Sequence, residues 1–188
     1  VYADETKTTN KTFTADQLTK AFAGGADGTS CESGEEGWNV VLKHDDAEHK
    51  YPQAVWNLSE SFDLANVESV TFNVKSQEGV IALKLGMTNA SGWYDDVEAC
   101  YGQNGQKQYT IVPEKTEGTF DKVVIMTTQN DASFCLTSVV VTLKEMNGVN
   151  RIDDFVKLCL ARGWLISRLD IENQLDVYAK AEEEIEFE

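Results

Sequence analysis

Short runs in which every second residue is apolar fill most of the chain between residues 12 and 146, and they restrict that stretch to sheet structure. Val70, Phe72 and Val74 alternate with Thr71, Asn73 and Lys75, and Ile81, Leu83 and Leu85 alternate with Ala82, Lys84 and Gly86. Successive side chains of a strand point to opposite faces, so this pattern means one face on a core and the other toward water. The pattern predicts strands over 38–44, 53–58, 69–75, 80–87, 107–112, 122–128 and 134–143, separated by clusters of turn-forming residues. Seven such strands, close together in sequence, predict an all-β fold, an antiparallel β-sandwich of the jelly-roll kind. No strand–helix–strand rhythm interrupts them, which argues against a parallel sheet.

The flanks read differently. Residues 1–11, polar from Asp4 onward, are expected to be a flexible, frayed segment. After Met146-Asn147-Gly148 the period changes: Ile152, Phe155, Val156, Cys159 and Leu160 recur at helical spacing, with Gly163 as a stop. Ser167-Arg168-Leu169-Asp170 reads as a second helix start, and Leu175, Tyr178 and Ala179 continue one face. Residues 147–188 hold ten acids and five bases. They form an acidic helical appendage to the sandwich over 12–146, or the start of a neighbouring segment, and their apolar faces need a partner surface.

Charge removes some partners without selecting one. With 16 basic and 32 acidic residues the net charge is −16, a field that repels phosphate backbones and anionic membranes. Nucleic acid and membrane surfaces are therefore not expected partners, and no run of 18 apolar residues is present to span a bilayer. Cys31, Cys100, Cys135 and Cys159 are widely spaced and make no CxxC pair, which argues against zinc. They are buried free thiols, or two of them form one disulfide within the β domain. The opening Val1-Tyr2-Ala3-Asp4 fits the residue of a cleaved secretion signal or an arbitrary chain start.

The stretch richest in chemistry is Thr88-Asn89-Ala90-Ser91-Gly92-Trp93-Tyr94-Asp95-Asp96, read as a polar loop after a strand. Two adjacent large rings in such a loop cannot easily share one core, so at least one is expected to be exposed. An exposed ring suits the C–H face of a sugar; the bland alternative is a loop folded back to cap the sandwich. Tyr101, Gln103, Asn104 and Gln106 follow in a turn, and the next strand sets Gln106, Gln108 and Thr110 opposite Tyr109 and Ile111. If the sheet is continuous, those amides share a face with Thr71, Asn73, Lys75, Ala82 and Lys84. Amides donate and accept at once, which suits vicinal hydroxyls. Trp93, Tyr94, Tyr101, Gln106, Gln108 and Lys84 are thus the ligand candidates. Trp56 is in phase with Ala54 and Leu58 and so reads as core, but apolar Val55 leaves its phase open and keeps it among the candidates.

An enzymatic reading finds less support. A small jelly-roll glycosidase needs two carboxylates facing each other across a cleft, and the predicted strands carry almost no acids on their polar faces. Asp95, Asp96 and Glu98 beside Trp93 form the best acidic cluster, suited to a sugar hydroxyl, to a structural calcium ion or to plain solvation. No cofactor is called for, and neither a nucleophile elbow nor a phosphate loop occurs. A structural or adhesion domain docking a partner through its C-terminal helices is a further alternative.

The run Glu68-Ser-Val-Thr-Phe-Asn-Val-Lys-Ser, then Gly79-Val-Ile-Ala-Leu-Lys-Leu, then Ser138-Val-Val-Val-Thr-Leu resembles β-sandwich carbohydrate-binding modules. The similarity is strongest to modules attached to plant-cell-wall hydrolases of gut and rumen anaerobes, and it covers about residues 12–145. It implies a secreted, non-catalytic module that holds an appended glycoside hydrolase on β-glucan, cellulose, xyloglucan or xylan. By position, Trp93, Tyr94 and Tyr101 take the role of the aromatic platform. Nothing in 147–188 shares this resemblance.

Overall fold

The computed structural model describes residues 6–22 and 28–146. Residues 8–144 make one compact unit, and the helical appendage expected over 147–188 lies outside the described residues. The strands are β1 (Thr6–Thr14), β2 (Thr19–Phe22), β3 (Thr29–Ser33), β4 (Trp38–Leu42), β5 (Gln53–Asp63), β6 (Val67–Glu78), β7 (Ile81–Thr88), β8 (Tyr94–Gln103), β9 (Gln108–Ile111), β10 (Thr119–Met126) and β11 (Ala132–Met146). They build two sheets. One runs β3-β4-β11-β6-β9, with β1 added on β11, and the other runs β2-β5-β10-β7-β8. The registered pairs are antiparallel.

Between β4 and β11 the chain stays within one sheet only at the β7–β8 hairpin; every other connection crosses to the opposite sheet. This wraps the chain around a single core, as expected of a jelly roll. The crossing from β6 to β7 turns on Gly79, whose φ is +81° and whose absent Cβ would lie 2.2 Å from the Asp131 carbonyl oxygen. Only glycine fits there.

All seven predicted strands are present, with adjusted ends. Their apolar phases meet in the core: Val40 and Leu42, Trp56 and Leu58, Phe72 and Val74, Leu83 and Leu85, Val123 and Ile125, Val139 and Val141. Each such side chain, fully buried, contributes about 1.5–3 kcal/mol relative to exposure. Phe62 lies edge-on to Phe13 at 6.0 Å between centroids and is stacked on Phe120 at 5.6 Å. Trp38 donates its indole N–H to the Ala15 carbonyl at 2.9 Å.

Four strands escaped the alternation pattern. β1 occupies residues expected to be frayed, β2 and β3 are short, and only Cys31 is buried in β3. β8 occupies part of the supposed loop and turn. It is an edge strand with mostly exposed or half-buried side chains, and a register shift opposite Leu85 and Gly86 breaks its phase.

Cys31, Cys100 and Cys135 are free thiols. Burial pushes the Cys31 thiol up to about 11, against the pull of the nearby Lys20 ammonium. Since the thiolate is the nucleophile, iodoacetamide at about pH 8 is expected to alkylate Cys31 only after denaturation. Peptide mapping of both samples checks this; equal labelling would contradict it. Phe72 is wholly buried, so Phe72→Ala should cost about 3–5 kcal/mol in a urea titration. A loss below about 1 kcal/mol would mean that the core collapses into the space.

Candidate functional site

The outer face of the five-stranded sheet is apolar at its centre. In β5 and β10 the register places Val55 opposite Val124 and Gln53 opposite Met126. In β7, Lys84 lies opposite Val124, Ala82 opposite Met126 and Gly86 opposite Lys122. Directly paired residues share a face. Val55, Ala82, Val124, Met126 and Tyr94 therefore form a second cluster, separate from the inter-sheet core, with Ala21 and Trp93 packed against it.

Tyr94, the first residue of β8, covers this cluster. Its ring lies on Gly86: a Cβ there would stand 2.6 Å from Tyr94 Cδ2. Its hydroxyl donates to Gln53 Oε1. Burial raises the Tyr94 hydroxyl far above its ordinary range, and the Asp96 carboxylate and Tyr101 add to this. The hydroxyl therefore stays protonated at all ordinary pH and remains a donor. Trp93 leans on the Tyr94 ring at 5.0 Å and 36°.

The turn that positions Trp93 is tight. The Asn89 side-chain oxygen accepts from Ser91 N, Ser91 Oγ and Trp93 N, and the Asn89 N–H donates to the Trp93 carbonyl at 3.2 Å. Gly92, at φ +81°, supplies the left-handed residue.

Beside this covered floor is an open hollow of about 240 Å³ lined by Tyr51, Gln53, Lys84, Tyr101, Met126 and Thr128. Tyr51 and Tyr101 are 52% and 58% exposed, the most exposed aromatic rings among the described residues. Lys84 is mostly buried and its ammonium bonds both carboxylate oxygens of Asp96, at 3.2 and 3.1 Å. Gln53 turns its amide nitrogen toward the Tyr51 carbonyl, 3.5 Å away.

The structure thus brings Lys84, Trp93, Tyr94 and Tyr101 to one face and separates the other candidates from them. Tyr94 is 7% exposed, so the expected exposed pair is a buried tyrosine with a half-buried tryptophan over it. Trp56 is wholly buried between the sheets and reaches no surface. Gln108 pairs with Asn73 across β9 and β6, in the other sheet. Gln106 precedes β9 and donates its backbone N–H to the Tyr109 hydroxyl at 3.0 Å. The expected continuous polar face is in fact two faces, because the chain changes sheets between β6 and β7.

Tyr51 and Gln53 were not singled out from the sequence. The available signal was the phase of β5, where Gln53, Val55 and Asn57 run opposite Ala54, Trp56 and Leu58.

The acids need correcting too. Asp95, Asp96 and Glu98 lie on β8 and Asp121 on β10, so strand faces are not bare of carboxylates. Their partners nevertheless differ. Asp95 accepts from Asn89, Asp96 from Lys84, Glu98 from the N–H groups of Glu114 and Lys115, and Asp121 from Thr88. A calcium ion needs oxygens converging on one point, and among the described residues no group of three or more acids, histidines or cysteines does so.

No family model and no curated protein sequence matches the chain. Solved structures do. The low-affinity xylan-binding module CBM86 of the xylanolytic gut symbiont Roseburia intestinalis is 34% identical with a TM-score of 0.57, covering 72% of this chain and 96% of that one. The chain belongs to the CBM86 carbohydrate-binding modules. Two variants of the family 29 module CBM29-2, one complexed with cellulohexaose, match at 13% and 14% identity with TM-scores of 0.51 and 0.50, covering 72% of this chain and 92% of each. At that identity they speak for the β-sandwich fold alone. Membership in CBM86 makes non-catalytic carbohydrate binding the function class of the chain. No helix among the described residues is long and apolar enough to cross a membrane.

Gly86 gives this CBM86 module a sign test. Within a strand, Gly→Ala ordinarily stabilises by about 0.5–1 kcal/mol. Here the new methyl meets the root of a packed tyrosine ring, so Gly86→Ala is expected to destabilise in chemical denaturation. Tyr94→Phe, which strips Gln53 of its donor, should cost about 1 kcal/mol. A stability gain in Gly86→Ala would show that the ring yields freely.

Proposed function

We propose that this module binds xylan in the hollow between Tyr51 and Tyr101, and so holds an appended, secreted plant-cell-wall hydrolase on its substrate. The observation that carries the reading is the pair of exposed tyrosines flanking a hollow with a thioether floor and the polar groups of Gln53, Lys84 and Thr128. A pyranose offers C–H faces to rings and hydroxyls to amide and ammonium groups, so this combination fits a sugar chain lying on the surface. Among β-linked plant polysaccharides, the xylan binding of the 34% identical R. intestinalis module favours xylan over β-glucan, cellulose or xyloglucan. Trp93 and Tyr94, first expected to stack on the ligand, act by propping the surface on which Gln53 and Tyr101 stand.

Stacked aromatic contacts contribute about 0.5–1.5 kcal/mol each beyond area burial. Tyr101→Ala and Tyr51→Ala are therefore each expected to weaken xylan binding by roughly threefold to tenfold, and Gln108→Ala, in the other sheet, to leave it unchanged. Affinity electrophoresis in xylan, β-glucan and xyloglucan gels reads all three. Unaltered retardation of both tyrosine variants would sink the site assignment. Sustained release of reducing sugar by the purified protein would overturn the non-catalytic reading.

A further inference from the structure

The polar groups around the hollow are unevenly divided between donors and acceptors. Lys84 is a pure donor, and the hollow's lining contains no carboxylate. Gln53 is biased toward donation by its surroundings, because one of the two lone pairs of its oxygen is taken by the Tyr94 hydroxyl. Tyr94 cannot reverse that bond, since a carboxamide oxygen only accepts and the raised hydroxyl does not ionise. Its –NH₂ leans only loosely on the Tyr51 carbonyl, at 3.5 Å, and keeps a second N–H for a ligand. Tyr51, Tyr101 and Thr128 carry hydroxyls that adapt to either role. The anion paired with Lys84, Asp96, is 60% exposed and stands outside the lining while it neutralises the ammonium.

A surface built to hold only neutral hydroxyls would be expected to pair a fixed donor with a fixed acceptor, because each hydroxyl does both. Here the fixed groups are a cation and an amide –NH₂, both donors. The ligand group that complements them is an acceptor with negative charge. Resting on the reading of this hollow as a xylan site, we infer that it selects glycans bearing uronic acid units, with the uronate carboxylate taken by Lys84 and Gln53. The carboxylate competes with Asp96 for the ammonium, so Asp96 is a built-in restraint on this preference. The overall charge of −16 does not forbid it: ions at physiological strength screen charges beyond about 8 Å, and Lys84 acts at contact distance.

The test is titration calorimetry of the full chain with a glucuronoxylan and with the same polymer after chemical reduction of its carboxyl groups. The carboxylated polymer is expected to bind roughly two- to fivefold tighter at low salt, with the ratio shrinking toward one at about 1 M salt. Lys84→Met should collapse the ratio. Asp96→Asn, which keeps the site's shape and frees the ammonium, should raise it. Melting curves of both variants establish that each is folded. Equal binding of the two polymers, or a ratio unchanged in both variants, would overturn this inference while leaving the xylan site standing. Failure of the parent protein to bind either polymer would overturn the xylan reading itself, and this inference with it.

Discussion

In β5 and β10 consecutive residues are apolar: Ala54, Val55 and Trp56 in one, Val123, Val124, Ile125 and Met126 in the other, all but Met126 with no exposed surface. A strand of that kind has to be covered on both sides. The six-stranded sheet covers one side. The other is covered by side chains that the sheet itself supplies, chiefly Tyr94 from the edge strand, with Trp93 and Ala21 at its margin. That requirement accounts for glycine at position 86, where the ring must lie flat, and for the Tyr94–Gln53 hydrogen bond, which pairs the two polar atoms the cover would otherwise strand. It also explains why the open hollow begins where the cover stops, at Met126.

The sequence disclosed the strands that bury one face cleanly, and little about which sheet each belonged to. Alternation assigns residues to a face of their own strand; it carries no information on whether neighbouring strands pair. Thr71 and Lys84 have the same phase and lie on opposite outsides of the molecule, because the turn at Gly79 passes between sheets. Edge strands were illegible for a related reason. β8 needs to bury little, so Asp95, Asp96 and Glu98 are tolerated in it and the stretch imitates a loop. Tyr101 and Lys84, candidates from position in the resemblance and from the polar phase of their strand, do come to line one hollow. Tyr51 was hidden beside a proline, and the role of Gln53 depends on a partner 41 residues away.

Trp56 illustrates how a phase argument resolves. With apolar residues on both sides, either phase was open from sequence, and the pairing with Val123 and Lys20 settles it toward the core. The outward position next to it belongs to Val55, a residue without any functional signature. Trp56 is structural, and among the described residues the two most exposed rings are Tyr51 and Tyr101.

The hollow spans strands of unequal security. Gln53, Lys84 and Met126 stand on the inner strands of their sheet, whereas Tyr101 and the covering Tyr94 stand on β8, held along one side only. Edge elements open locally at far lower free energy than the core. Each such opening would carry away one wall of the hollow and uncover Val124 and Met126, without disturbing Phe72 or Trp56. If sugar binds in the hollow as proposed, binding and edge-strand closure are linked equilibria: an occupied hollow holds β8 in place, and a secure β8 keeps the hollow ready. The amides of β8 would report occupancy through slowed hydrogen exchange, long before any change in the melting of the whole domain.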